Sequence, residues 1–254
     1  MAEDVPPAPD VAIVPDTPPM DLAPDLPATP DMMMLPPDAP AGVNLGMGLI
    51  TRLKLDEGMG NSTADSAGGM NNGTISGAMW IRPGAPGTKY PNAAALHFDG
   101  NDDFVDVGNR NMRSNNQAQS VTFWVRYTAN PSGARVCVSV TQAGGGEARL
   151  KVGFNDGQVR AWKSSSDPLV STAIPAAGWH HYAYTYDGNN HRLYLDGMQR
   201  AMSGTTPDNG PPTNVRLGAI FNNAENFQGD LDDVRFYNRA ITTAEVTALA
   251  QGFE

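Results

Sequence analysis

The run Gly229–Thr242, GDLDDVRFYNRAIT, reads as a strand carrying three carboxylates, Asp230, Asp232 and Asp233, within four positions. Charge at that density serves catalysis, a metal ion or a solvated turn, and the surrounding chain discriminates among them. Immediately afterwards, Thr242-Thr243-Ala244-Glu245 has capping-box spacing, so Thr242 and Glu245 open a short helix. Val246, Leu249 and Ala250 give that helix one apolar stripe, and Gly252 supplies a left-handed stop.

Upstream, from Val43 onward, short runs rich in Val, Phe, Tyr and Trp alternate with Gly, Asn and Asp clusters. Eleven read as strands: LITRLKLD, AALHFDG, DFVDVG, SVTFWVRYT, RVCVSVTQ, ARLKVGF, GQVRAW, WHHYAYTYD, HRLYLDG, NVRLGAI and LDDVRFYN. Phe154-Asn155-Asp156-Gly157 and Tyr186-Asp187-Gly188-Asn189-Asn190 read as hairpin turns, and Asp99-Gly100 and Asp196-Gly197 as strand-end turns. Many short strands with one helix describe an all-β sandwich. In WHHYAYTYD, Tyr182, Tyr184 and Tyr186 share one face, and His181, Ala183 and Thr185 the other. These aromatics, with Phe123, Trp124 and Trp179, are expected in the core.

Residues 1–42 differ in texture. They hold 12 of the 21 prolines and eight acids, with no Lys or Arg. Fixed φ angles and repelling charges make this a disordered, polyproline-II-rich Pro/Asp linker, a spacer or a terminus without a role. The folded domain is expected over 43–254. There, 19 acids face 17 bases, so nothing in the charge attracts nucleic acid. No apolar run is long enough for a membrane span. The lone Cys137 lies in an alternating apolar run and reads as a buried structural thiol rather than a nucleophile.

The order of GLITRLKLDEGMGNSTADSAGGMNNGTISGAMW, AALHFDGNDDFVDVGN, SVTFWVRY, GWHHYAYTYDGNNHRLYLDG and NVRLGAIFNNAENFQGDLDDVRFYNRAITTAEVTAL closely resembles the laminin-G-like, concanavalin A-like lectin/glucanase superfamily. More narrowly, the chain looks like the bacterial branch of that family, found as a module in secreted and surface proteins. The resemblance implies a two-sheet antiparallel jelly-roll sandwich of roughly twelve strands with one short C-terminal helix. It leaves function open, since the fold hosts lectins, glucanases and adhesive modules.

Glucanases of the family carry a Glu-x-Asp-x-x-Glu pattern that is missing here, and Glu57, Glu147 and Glu225 stand alone among turn residues. On a regular strand Asp232 and Asp233 point oppositely and cannot share a substrate. No catalytic residues are therefore expected, and the chain reads as a non-enzyme. For the metal, Asp65-Ser66-Ala67-Gly68-Gly69-Met70-Asn71-Asn72-Gly73 matches the family's Asp-x-x-Gly-x-x-Asn-x-Gly loop, with Gly69 where relatives commonly have Asn. The resemblance implies a structural Ca2+ held by Asp65 and Asp232, with Asn71 as third contact. The alternative is that Asp232 caps backbone N–H groups without a metal. Asp230 is expected in a solvated turn, and Asp233 facing out near Arg235.

These features point to a monomeric, non-catalytic recognition module, extracellular or at a cell surface, most simply for carbohydrate. The alternatives are an adhesive or spacer module binding a surface protein, and a glycoside hydrolase using Glu57 or Glu147. Candidate exposed aromatics for stacking on a sugar are Trp80, Tyr90, Trp162 and Phe221, each beside Gly, Pro, Asn or Ser.

Overall fold

The computed structural model describes residues 1, 39–113, 117–128, 131–142, 148–163, 168–204 and 212–254. The linker expected over 1–42 lies outside these apart from Met1 and 39–42. Ala39 and Val43 pack beside Leu49 and Phe253 against a buried apolar cluster, so the folded body already includes Ala39.

Among the described residues, sixteen strands form two eight-stranded sheets. They are β1 (Leu49–Leu53), β2 (Ser62–Thr63), β3 (Gly73–Ser76), β4 (Met79–Ile81), β5 (Ala95–Asp99), β6 (Phe104–Val107), β7 (Gln119–Tyr127) and β8 (Arg135–Gln142). Then come β9 (Ala148–Asn155), β10 (Gln158–Trp162), β11 (Pro168–Ala173), β12 (Gly178–Tyr186), β13 (His191–Leu195), β14 (Met198–Ser203), β15 (Pro212–Leu217) and β16 (Gln228–Tyr237). The first sheet runs β14-β13-β12-β7-β16-β5-β4, with β1 also pairing β16; the second runs β11-β10-β9-β8-β15-β6-β3-β2. Every strand pairing is antiparallel. All eleven strands expected from the sequence are present.

Local chemistry sets the turns. Asp156 and Gly157 have φ of 50° and 70°, and Asp196 and Gly197 have 51° and 81°. Paired positive φ is what a two-residue hairpin matched to strand twist requires, and Asp-Gly meets it at low strain. The main core lies between the sheets. There Phe154 stacks on Phe227 at 6.1 Å and meets Tyr127 edge-on at 5.0 Å, and Tyr182, Tyr184 and Tyr186 are buried as the alternation requires. Cys137 is fully buried, and burial raises its thiol pKa.

Helix α1 (Thr243–Ala250) closes with the expected capping box. The Thr242 hydroxyl accepts the Glu245 N–H, and the Glu245 carboxylate accepts the Thr242 N–H. α1 covers part of the outer face of the first sheet, where Val246, Ala248 and Leu249 pack with Leu45, Ala183, Tyr194, Tyr237 and Ile241. Among the described residues, no helix is long and apolar enough to cross a membrane, which says nothing of β-barrels.

Candidate functional site

β16 carries its three carboxylates to three different environments. Asp232 and Asp233 do not alternate as a regular strand would. The register against β7 shifts between Asp232 and Arg235, and Asp233 sits at φ 42°. A bulge of this kind adds a residue and re-aims side chains. Both carboxylates consequently meet the segment 84–92: Asp232 accepts from the Ala85 N–H (2.6 Å) and the Asn92 amide (2.7 Å), and Asp233 from the Tyr90 hydroxyl (2.6 Å).

Asp233 also accepts from Arg52 Nε (2.8 Å) and Arg235 Nη2 (2.7 Å), and Arg52 reaches Glu254. It is buried rather than outward-facing, contrary to the sequence expectation, although the nearness to Arg235 is real. The two guanidiniums outweigh the desolvation of the Asp233 carboxyl and hold its pKa far below the usual carboxylate range. Burial pushes the Asp232 carboxyl the other way, to about 8, against the pull of the Ala85 N–H and the Asn92 amide.

Asp230 is not a solvated turn residue. It lies inside β16, 4% exposed, and its two oxygens accept from Arg126 Nε (2.5 Å) and meet His97 Nδ1 (2.7 Å). Arg126 in turn lies over the Trp179 ring at 5.2 Å. Trp179, expected in the core, is therefore on the outer face and half-buried. Trp124 is buried on that same outer face, edge-on to His181 at 5.4 Å.

The calcium residues divide into two groups. Asp65 accepts the Arg52 and Ala67 N–H groups at Oδ1 and the Asn71 N–H at Oδ2. The buried Asn71 carboxamide accepts the Arg110 N–H and donates to Thr51 Oγ1 and the Arg110 carbonyl. Asp65 and Asn71 thus belong to one loop folded against β1, whereas Asp232 shares none of their partners. Their oxygens face N–H donors, the environment of a backbone cap, and this donor set does not fit the shell of one hard cation. Gly69 has no room for the Asn of relatives, since a Cβ there would meet the Ile50 carbonyl.

Elsewhere, the carboxylates of Asp99, Asp102 and Asp103 lie within 4.8 Å of one another, the one such trio among the described residues. Asp103 accepts the Asp99 N–H, and Asn101 binds both Asp99 oxygens, which accounts for the cluster as a turn.

Of the four candidate aromatics, Tyr90 and Trp162 are buried, and half-buried Trp80 donates its indole N–H to the Gly60 carbonyl. Phe221 alone stands out, 53% exposed. It sits on the loop 218–227, which folds onto the outer face of the second sheet. There register partners Trp162, Lys151, Ser139, Arg216 and Asp106 form one row across five strands. Ser139 donates to the Ala219 carbonyl, and Lys151 pairs with Glu225 (2.8 Å). Arg216 lies over Phe104 at 4.0 Å and Phe221 at 5.7 Å, pairs with Asp106, and donates to the Phe221 carbonyl (2.9 Å) and Asn223 Oδ1 (2.5 Å). The row ties down the loop from below, leaving the Phe221 ring, Asn222 and Asn223 exposed above it. Asn226 binds the Asn101 carbonyl and joins this loop to the acidic turn.

The model of the concanavalin A-like lectin/glucanases superfamily matches residues 99–247, more than half of the chain, and the chain belongs to that family. No curated protein sequence matches it. Among solved structures, domain 4 of AbnA, a GH43 extracellular arabinanase from Geobacillus stearothermophilus in complex with arabinotriose, is similar at 20% identity and TM-score 0.63. That match covers 80% of this chain and 98% of that domain. A Trypanosoma rangeli sialidase in complex with 2,3-difluorosialic acid is similar at 18% identity and TM-score 0.62, over 80% of this chain and 33% of the sialidase. The binding domain of Paraclostridial Mosquitocidal Protein 1 gives 16% identity and TM-score 0.61, over 82% and 52%. Identities this low show the fold alone, and the chain spans about a third of the sialidase.

Proposed function

We propose that this member of the concanavalin A-like lectin/glucanases superfamily is a non-catalytic carbohydrate-binding module working outside the cell. The observation that carries the reading is Phe221: a ring 53% exposed, on a backbone clamped by Arg216. An exposed aromatic is worth presenting rigidly when something stacks on it, and the neighbouring amides of Asn222 and Asn223 suit sugar hydroxyls. The likeness to an arabinanase domain in complex with arabinotriose supports the same ligand class. The carboxylates of β16 are held in ion pairs or as backbone caps, a structural use that supports a non-catalytic role.

A panel of neutral polysaccharides and oligosaccharides screened against the whole chain tests the reading. A binder is expected, weakened at least tenfold by Phe221→Ala with the fold intact. A panel with no binder, alongside self-association or capture of a surface protein, favours the adhesive or spacer reading instead. For the calcium residues we propose the capping alternative. The melting temperature is expected to be the same in calcium and in chelator, and a calcium-dependent rise lost in both Asp65→Ala and Asp232→Ala overturns that.

A further inference from the structure

The open row on the first sheet, Trp179–Arg126–Asp230–His97, is a second place where a ligand could be read. Register places these residues side by side on β12, β7, β16 and β5: Trp179 opposite Arg126, Arg126 opposite Asp230, Asp230 opposite His97. Four adjacent strands at about 4.8 Å spacing make a row about 14 Å long. The Asp230 side chain is 6% exposed, whereas those of Arg126 and His97 are 39% and 37% exposed. A buried carboxylate thus holds two exposed groups in place and spends one oxygen on each.

The consequence lies in what remains free. Nε of Arg126 is taken by Asp230, and among the described residues its two terminal nitrogens have no hydrogen-bond partner. The Trp179 ring, 5.2 Å from the Arg126 Cζ, holds the guanidinium by a cation–π contact. What is presented is an oriented N–H fork beside an aromatic surface, with the outer nitrogen of His97 further along. A planar fork of this kind matches a carboxylate bidentately. Arg216 below Phe221 offers no such fork, being committed to Asp106, Asn223 and two carbonyls.

We infer that this row is a subsite for carboxylate-bearing saccharides, hexuronic acid residues in particular, separate from the Phe221 platform. The fork takes the sugar carboxylate, and the exposed part of Trp179 flanks the sugar ring beside it. The inference rests on the saccharide reading of the chain and adds a charge class to it.

The test is calorimetric titration of the whole chain at low salt with an oligogalacturonate and with the same oligomer fully methyl-esterified. The acid is expected to bind at least tenfold more tightly than the ester. Arg126→Gln is expected to erase that preference, and Arg126→Lys, which keeps the charge and loses the fork, to erase most of it. Neither change should alter neutral-glycan binding that depends on Phe221. Chemical shifts of the Trp179 indole and Arg126 Nε in the wild-type chain provide a readout independent of any variant's folding, and both are expected to move with the acid. Equal affinity for acid and ester, an acid preference that survives Arg126→Gln, or binding of acetate as strong as of the oligomer overturns the subsite. If neutral glycans bind through Phe221 while oligogalacturonate does not, this subsite alone fails. If no saccharide binds, the carbohydrate reading fails with it.

Discussion

Asp230 and Asp233 stand three residues apart on one strand, both turned to the outer side of the first sheet and both buried, and their fates differ because of how deeply their partners lie. Over Asp233 runs the segment 84–92, and the Tyr90 hydroxyl, Arg52 and Arg235 surround the carboxylate with donors. Asp230 is buried to the same degree, but its partners Arg126 and His97 reach solvent, whereas Arg52 and Arg235 are buried with Asp233. A buried charge must have every oxygen satisfied, so the covered carboxylate becomes architecture. A buried carboxylate whose partners reach solvent leaves their remaining donors available, and so can serve a ligand. Neither residue type nor the burial of the carboxylate separates the two sites; the burial of the partners does.

The covered side breaks most severely. Asp233→Ala leaves Arg52 and Arg235 buried beside one another with their shared counter-ion gone. Removing one partner of a buried pair costs about 3–5 kcal/mol. For a body of this size that corresponds to a drop in melting temperature on the order of 10 °C. Urea unfolding of the variant measures it, and a loss below about 1 kcal/mol would show that the cover opens easily and that the contrast with Asp230 is one of degree.

His181 sharpens the comparison through pH. It lies on the same outer face beside Trp124, 2% exposed, and among the described residues its Nδ1 has no partner. Burial lowers its pKa to about 4, from an ordinary value near 6.5. The unfolded chain therefore takes up a proton below pH 6.5 that the folded chain refuses. The contribution of neutral His181 is complete above pH 6.5 and is lost as pH falls towards 4, by about 3 kcal/mol over the whole window. Other carboxylates titrate near its lower end, so the readout is the difference between wild type and His181→Gln. That difference is expected to shrink from pH 7 to pH 4, and a flat difference would mean that the ring is solvated.

This split bears on how much the sequence could reveal. Alternation in WHHYAYTYD placed Tyr182, Tyr184 and Tyr186 correctly, because β12 is regular and one of its faces lies in the core. The Thr242–Glu245 box was legible because capping is local. Reading Asp233 failed on the bulge, since one inserted residue overturns every facing rule downstream of it. Trp162 looked exposed beside Lys163 and three serines, yet the loop 218–227 packs Ile220 and Ala224 against it. β14, MQRAMS, is not legible in the sequence because an edge strand with one open side carries little apolar pattern. Loops that fold over a sheet face are long-range events, and a site defined by which loops cover it leaves only weak local traces.

Asp230→Asn should have the smallest effect on stability and so separates the two halves most cleanly. Asn keeps an oxygen for Arg126 Nε and loses only the charge, and the partners are more than a third exposed, so water compensates for much of what is removed. The expected loss is below about 1 kcal/mol, against several for Asp233→Ala. The effect on recognition should be the reverse. With the charge gone, the remaining bond to Arg126 Nε is weaker and the fork is held less firmly, so selectivity for a uronate over its methyl ester is expected to fall in a variant that melts almost normally. Urea unfolding and the paired titrations measure the two quantities on the same protein. A large stability loss would make Asp230 a structural charge like Asp233, and an unchanged uronate preference would mean that Trp179 alone orients Arg126.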